Sequence, residues 1–206
     1  MNDSTYEAEN TVEKLETYEW DNPWIEQAND IQIPRVLYIG DSISRATRSL
    51  ATERSGNTIL FDNFATSKAV DNPFFPESVV LFAKQTHHRN AVIFNNGLHG
   101  WHLDDESEYA KYYEDMIQFL LKEFSDVPVA VVLTTHVADS ERDKRVVARN
   151  SVAKAIAEKY SLPVIDFYKV SVENKELLSA DGVHFTDDGC NILADFLLEA
   201  LKDILK

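Results

Sequence analysis

Three short polar stretches contain the residue types that nucleophilic hydrolysis needs. Ser42 lies in "GDSIS", and Asp181 and His184 stand three residues apart in "DGVHF". At this spacing in a turn, a carboxylate can hold the Nδ1–H of an imidazole while its Nε2 faces a serine hydroxyl. Asn95, in "NNGLHGWH", could aim its side-chain amide at the oxyanion that serine attack creates. The pattern predicts a Ser-His-Asp triad, with Asp166 as a spare carboxylate that could replace Asp181.

The apolar pattern predicts the elements that would bring these stretches together. From Arg35 onward, five apolar runs typical of buried strands alternate with five segments of helical periodicity. The runs are "VLYIG", "TILFDNF", "AVIFNN", "VPVAVVLTT" and "LPVIDF". This alternation predicts a three-layer α/β/α fold with a five-stranded parallel sheet in the flavodoxin-like order 2-1-3-4-5. Ser42 would then begin a helix at the crevice beyond strands 1 and 3, where free backbone N–H groups stabilise negative charge.

Taken together, the three stretches resemble the conserved blocks of the SGNH hydrolases, also called GDSL-type esterases and lipases. The resemblance covers most of the chain from Arg35 to its end. It implies that Ser42 is the nucleophile, that its backbone N–H serves the oxyanion hole, and that Asp181 and His184 complete the triad. The implied enzyme is a metal-independent carboxylic ester hydrolase that needs no cofactor.

Two further blocks bear on the oxyanion hole. "FNNGLHG" matches the third block of the family and implies Asn95 as the side-chain donor, with Asn96 as the alternative. The second block departs from the family pattern, because "NFATSKAV" has no glycine and Lys68 falls nearest to its position. Any residue except proline keeps a backbone N–H, so Lys68 is the expected third donor.

Other side chains at the same edge of the sheet are expected to contact the substrate. His99 and Trp101 follow the third strand, and His136 follows the fourth in "TTHVADS". His99 and His102 could instead form a metal pair, although the spacing places no third ligand with them. The aromatic and polar groups of "LHGWHLDDE" favour a short acyl group on a carbohydrate or another small polar alcohol.

Several polar residues have a structural interpretation. Asp41 is expected to anchor the turn between strand and helix, although hydrolysis by a pair of carboxylates could also use it. Thr186 is expected to cap the last helix, and His87 and His88 to end an earlier one. Cys190 is the only cysteine, which excludes an intrachain disulfide.

Composition limits the partners of the chain. Its 206 residues carry a formal net charge of −15, which disfavours nucleic acid and anionic membrane surfaces. A polar start without a long apolar run predicts a cytoplasmic protein. Residues 1–34 form an acidic lead-in whose Trp20 and Trp24 predict partial docking on the body, and residues 35–206 form the hydrolase domain. The expected partner is a small-molecule ester, and the sequence leaves the oligomeric state open.

Two other functional classes remain as alternatives. A catalytically silent interaction protein on the same fold is favoured by the missing glycine and by the acidic lead-in. A flavodoxin-like module could bind a phosphate or nucleotide through Ser42, Ser44 and Thr47, but its loop lacks the glycine-rich pattern of a P-loop. That module would also leave Asn95 and His184 without a role, so the sequence favours a serine esterase.

Overall fold

A six-stranded sheet lies at the centre of the computed structural model, which describes residues 15–16, 18–86 and 88–206. Its strands are β1 (Asp21–Trp24), β2 (Arg35–Gly40), β3 (Leu60–Thr66), β4 (Ala91–Phe94), β5 (Val129–Val132) and β6 (Val164–Ile165). They lie in the order β1-β3-β2-β4-β5-β6. The five strands from β2 onward are parallel and have the predicted order, since β3 and β4 flank β2.

Strand β1 corrects the predicted strand count from five to six. It pairs antiparallel with β3, in a register that runs from Asp21 opposite Thr66 to Trp24 opposite Asn63. Its sequence, "DNPW", has neither apolar alternation nor an apolar run. Proline is tolerated in an edge strand because one side of such a strand needs no backbone donor.

Six α-helices cover the sheet in the described part of the chain. They are α1 (Ser42–Arg54), α2 (Phe75–Ala83), α3 (Glu106–Glu123), α4 (Ser140–Lys159), α5 (Phe167–Glu173) and α6 (Asp187–Ile204). Helix α5 is not among the five predicted helices, because seven residues are too few to show helical periodicity. Within the described ranges, no helix combines the length and the hydrophobicity that a membrane span requires.

The predicted start of α6 is confirmed, whereas the predicted end of α2 is wrong. Thr186 caps α6, and its hydroxyl accepts a hydrogen bond from the Gly189 N–H at 3.4 Å. Helix α2 ends at Ala83, so His88 lies beyond it, with its Nε2 3.2 Å from the Ile33 carbonyl oxygen. His87 lies outside the described residues.

Alternate residues of the central strands face two separate hydrophobic cores. Val36 and Tyr38 face the core formed with α1, α5 and α6, whereas Leu37 and Ile39 face the core formed with α2, α3 and much of α4. Because helices cover both faces, the strands are apolar on both sides, which explains their continuous apolar runs. The predicted three-layer α/β/α architecture is confirmed.

The start of α1 depends on a close approach at Gly40. A Cβ at this position would lie 2.8 Å from the Ser44 Cβ and 2.9 Å from its Oγ. Such distances are shorter than real Cβ contacts, so a side chain at residue 40 would displace the first turn of α1. Gly40 therefore lets the helix begin directly at the carboxyl end of β2, with Ser42 as its first residue.

A buried ion pair links the lead-in to the sheet. The Arg35 guanidinium donates to the Asp62 carboxylate at 2.8 Å, and both side chains are almost fully buried. The same guanidinium donates to the carbonyl oxygens of Glu26, Gln27 and Asp30, each at 2.8 Å. Burial raises the pKa of Asp62 above its ordinary value, and the charge of Arg35 opposes this rise. Arg35 thus neutralises Asp62 and holds the segment that enters β2.

Replacement of Arg35 tests this ion pair. Arg35→Met should lower the free energy of unfolding by about 3–5 kcal/mol at neutral pH, because it leaves a buried carboxylate without a counter-charge. The loss should shrink as the pH falls toward the ordinary carboxyl pKa of about 4, since a protonated Asp62 needs no partner. Urea denaturation at several pH values measures both effects. Arg35→Met/Asp62→Leu should be more stable than Arg35→Met alone, and a double variant as unstable as the single one would contradict this account.

Candidate active site

Ser42, His184 and Asp181 form a continuous chain of hydrogen bonds. The Nε2 of His184 lies 2.8 Å from the Ser42 Oγ, and its Nδ1 lies 2.9 Å from the Asp181 Oδ2. A neutral imidazole satisfies both contacts when its Nδ1–H donates to the carboxylate and its Nε2 accepts from the hydroxyl. In this arrangement the ring nitrogen can take the hydroxyl proton as the oxygen attacks an electrophile.

Asp41 and its neighbours fix the position of Ser42. The Asp41 carboxylate accepts from the Ile43 N–H at 2.9 Å and so caps α1. The Ser44 hydroxyl donates to the Asp41 carbonyl oxygen at 2.7 Å, and Asn63 Nδ2 donates to the Ser44 Oγ at 3.0 Å. Asp41 thus has the expected turn-anchoring contacts, and its carboxylate serves as a helix cap.

The turn before α6 orients Asp181. The Asp181 Oδ1 accepts from the backbone N–H groups of Val183 at 2.8 Å and His184 at 2.9 Å. Partial burial raises the pKa of Asp181, but these two bonds and the His184 ring outweigh burial and hold the pKa below its ordinary value. The ionised carboxylate therefore adds stability above its unfolded pKa, and this stability is lost as the pH falls through the lower folded value.

The spare carboxylate of Asp166 has other partners. Its Oδ1 accepts from the Lys169 N–H at 2.9 Å and caps α5, and its Oδ2 lies 3.0 Å from the Lys154 Nζ. These contacts differ from those of Asp181, which bonds the histidine ring directly. The geometry therefore favours Asp181 over Asp166 as the acid partner of His184.

The two asparagines after β4 make different contacts. Asn95 Nδ2 donates to the Val132 carbonyl oxygen at 2.9 Å and to the Thr134 Oγ1 at 3.1 Å. Both hydrogens of its amide therefore bond to groups at the end of β5. Asn96 Nδ2 donates to the Lys68 carbonyl oxygen at 2.8 Å, which leaves the second amide hydrogen outside this bond. Asn96 thus links the two blocks that the resemblance connects with the oxyanion hole.

Lys68 is held at both its backbone and its side chain. Its N–H donates to the Thr66 Oγ1 at 3.1 Å, and its Nζ forms an ion pair with the Asp21 carboxylate at 2.6 Å. The side chain therefore extends toward the edge strand β1. The backbone N–H lies at the carboxyl end of β3, the position predicted from the sequence.

His99 and Trp101 are covered by other side chains. His99 is 1 % exposed, with its Nδ1 3.7 Å from the Glu16 Oε1 and its ring at the edge of Trp20. Trp101 is 4 % exposed and belongs to a hydrophobic core, with the Arg149 guanidinium 4.6 Å from its ring centroid. The structure brings both residues to the expected edge of the sheet but presents neither to solvent.

The remaining histidines at this edge pair with carboxylates. His102 Nε2 lies 2.9 Å from the Asp71 Oδ2, and His136 Nδ1 lies 2.7 Å from the Asp143 Oδ1. The His136 side chain is 20 % exposed, so it is the most accessible of the three residues that were predicted to bind substrate. Across the described ranges, no three His, Cys, Asp or Glu residues form a group that could hold a metal ion.

Arg149 is not among the residues predicted from the sequence, yet it shapes the loop after β4. Its buried guanidinium donates to the carbonyl oxygens of Gly97 at 3.0 Å, His99 at 2.7 Å and Gly100 at 2.6 Å. The residue lies on the buried face of α4 between Val146 and Ala153, at helical spacing. An arginine at an apolar position of this pattern is the signal that could have identified it.

Comparisons with known proteins agree with this architecture. No known family model matches the chain, and no curated protein sequence does. Among solved structures, the acetyl xylan esterase AlAXEase is 20 % identical with a TM-score of 0.64, over 81 % of this chain and 99 % of that one. A lipolytic G-D-S-L family protein from Veillonella parvula is 19 % identical with a TM-score of 0.64, over 82 % and 98 % of the two chains.

A third similar structure is the catalytic domain of peptidoglycan O-acetyltransferase A from Streptococcus pneumoniae. It is 16 % identical with a TM-score of 0.64, over 84 % of this chain and 94 % of that one. At these identities the likeness establishes the fold. The resemblance noted in the sequence is confirmed at that level, and the chain has the fold of the SGNH, or GDSL-type, hydrolases.

Proposed function

We propose that the protein is a serine esterase that hydrolyses an acyl ester through Ser42. The observation that supports this most directly is the pair of hydrogen bonds from Ser42 Oγ to His184 at 2.8 Å and from His184 to Asp181 at 2.9 Å. A serine whose hydroxyl meets a carboxylate-oriented imidazole is the arrangement of an activated nucleophile. The fold alone would not assign this activity, because one fold supports many functions.

The proposed reaction uses only groups of this chain and water. The Ser42 Oγ attacks the ester carbonyl carbon while His184 Nε2 takes the hydroxyl proton, which gives a tetrahedral oxyanion. The C–O bond to the alcohol then breaks, and His184 returns the proton to the leaving oxygen. Water, deprotonated by His184, then attacks the acyl carbonyl carbon of the acyl-enzyme. The bond to the Ser42 Oγ breaks, His184 returns the proton to that oxygen, and the acid is released. Asp181 keeps the imidazole oriented and stabilises its protonated form.

The proposed oxyanion hole combines backbone and side-chain donors. The Ser42 N–H lies in the first turn of α1, where the helix dipole favours negative charge. The Lys68 N–H is the second donor, although it would have to share its bond with Thr66 Oγ1. For the third donor, the contacts favour Asn96 over Asn95, because both amide hydrogens of Asn95 already bond to groups at the end of β5.

We further propose a short acyl group, such as acetyl, on a carbohydrate or another small polar alcohol. Two of the similar structures are an acetyl xylan esterase and a peptidoglycan O-acetyltransferase, so the fold is compatible with acetylated carbohydrates. The partly exposed ring of His136, held by Asp143, offers a hydrogen-bonding group for a hydroxyl. A catalytically silent interaction protein on this fold is the second candidate, and the following experiment separates the two.

Ser42→Ala should abolish esterase activity and leave the fold intact, because the change removes only a hydroxyl at a helix start. Turnover of p-nitrophenyl acetate should fall by at least about 10⁴-fold at an unchanged Tm. A fluorophosphonate probe should label the wild-type protein at Ser42 and not label the variant. Ser49→Ala, on the exposed side of the same helix, is the matched control. Undiminished turnover in Ser42→Ala would rule out the proposed nucleophile, and absent labelling of the wild type would favour the silent scaffold.

Asp181→Asn should reduce kcat strongly, by up to about 10⁴-fold, and change KM little. An asparagine oxygen can still accept the N–H groups of Val183 and His184, but its amide would then donate to the ring Nδ1. That tautomer leaves the proton on Nε2, which cannot accept the serine proton. Asp166→Asn is the matched control and should retain near wild-type kcat. If Asp166→Asn shows the large loss instead, the acid partner has been assigned to the wrong residue.

Asn96→Ala should lower kcat by on the order of 10²-fold with a smaller effect on KM, because an oxyanion donor acts mainly in the transition state. Asn95→Ala should lower the Tm clearly and change kcat little, since it breaks two buried hydrogen bonds to groups at the end of β5. Steady-state kinetics and thermal unfolding of both variants separate the two roles. The opposite assignment of the kcat and Tm losses would make Asn95 the donor.

A further inference from the structure

Residues 16 and 18–20, here called the strap, lie over the edge of the sheet that holds the proposed site. The Gly100 N–H donates to the Glu16 Oε1 at 2.9 Å. Trp20 exchanges hydrogen bonds with Ser67, from its own N–H at 2.9 Å and to its carbonyl oxygen at 3.1 Å. The Trp20 ring also lies 5.7 Å from the Arg45 guanidinium carbon. The strap therefore contacts α1 and the segments that follow β3 and β4.

Each contact of the strap lies close in sequence to a proposed catalytic or oxyanion residue. Arg45 is one helical turn after Ser42, Ser67 directly precedes Lys68, and Gly100 is in the loop after β4 that also contains Asn96. Ser42 itself is 4 % exposed. An ester larger than the site itself would therefore contact the strap as it binds.

The buried carboxylate of Glu16 has few favourable contacts with the described residues. Its side chain is 3 % exposed, and its Oε2 has no hydrogen-bond partner among the described residues. The His99 ring lies within ion-pair range, with its Nδ1 3.7 Å from the Oε1. Among the described residues this carboxylate accepts one hydrogen bond, from Gly100, and burial of a carboxylate on such terms is unfavourable compared with its hydrated state. The strap is therefore poised to leave when a better-matched group competes for the Gly100 amide.

The Gly100 amide is oriented without help from the strap. Gly100 has a φ of +74°, and a Cβ at this position would lie 2.7 Å from the Ala69 Cβ. Arg149 fixes the neighbouring carbonyl oxygens of Gly100 at 2.6 Å and His99 at 2.7 Å. The loop itself therefore orients the Gly100 N–H, and the Glu16 carboxylate accepts from this donor as a ligand would.

We propose that the Gly100 N–H and the His99 ring form a subsite for an oxygen on the alcohol part of the substrate, and that Glu16 occupies this subsite as an internal competitor. The inference rests on the proposed esterase function. Because the protein carries a formal charge of −15, a neutral polyol ester, with hydroxyl or carbonyl oxygens as acceptors, fits better than an anionic one. Substrate binding then requires displacement of the strap, which explains how His99 can be a substrate residue and still be buried.

An internal competitor raises the apparent KM by the reciprocal of the open fraction and leaves kcat unchanged once substrate is bound. Glu16→Ala should therefore lower the KM for a peracetylated methyl xyloside by on the order of 10-fold, with kcat within about twofold of wild type. Glu16→Gln keeps an acceptor oxygen of the same reach and should show a KM equal to or above that of wild type. Glu53→Ala, which removes an exposed carboxylate from α1, is the control for charge alone.

Two further measurements keep the proposal testable if one variant misfolds or if the enzyme is inactive. Trp20→Ala removes the ring contacts of the strap and should shift KM in the same direction as Glu16→Ala. Hydrogen exchange at the Gly100 amide should be faster in Glu16→Ala than in wild type or Glu16→Gln, whatever the catalytic rate. If Ser42-dependent hydrolysis occurs but Glu16→Ala leaves KM unchanged or lowers kcat, the masked subsite is refuted and the esterase stands. If no variant hydrolyses esters or labels at Ser42, both proposals fail.

Discussion

The proposed site depends on the close approach of helix α1 to the end of β2, which only a residue without a side chain, Gly40, allows. Because no Cβ intervenes, the first turn of α1 packs directly on the end of β2, with Ser44 against residue 40. Asp41 then caps the helix through Ile43, and Ser42 becomes its first residue. The position of the hydroxyl is thereby set by backbone geometry at the sheet edge. A serine held in this way needs only a base from another loop to become the proposed nucleophile.

A histidine–carboxylate pair is not by itself a sign of catalysis in this chain. His102, His136 and His184 each lie within 2.9 Å of an aspartate oxygen. Among these three pairs in the described part of the chain, the pair of His184 has a serine hydroxyl at the second ring nitrogen, at 2.8 Å. The third partner therefore distinguishes the proposed site, and it comes from a residue 142 positions away in the sequence.

The features that could be predicted from sequence are those that depend on local patterns. Continuous apolar runs identified the five parallel strands, and the spacing in "DGVHF" identified the Asp181–His184 pair. Strand β1 could not be predicted, because its pairing with β3 and not its composition makes it a strand. The burial of His99 could not be predicted from the sequence for a similar reason. It depends on Glu16 and Arg149, which lie 84 and 50 residues away from the atoms that they bind in this loop.

The departure from the family pattern at Lys68 and the added edge strand are physically connected. Where the second block of the family has glycine, the Lys68 side chain extends to the Asp21 carboxylate in β1. Asp21 directly follows Trp20, so this ion pair holds the strap's end beside Ser67. A glycine at residue 68 would keep the backbone N–H for an oxyanion but would release this anchor. The lysine thus keeps the backbone N–H that is proposed as an oxyanion donor, and its side chain holds the strap near the proposed site.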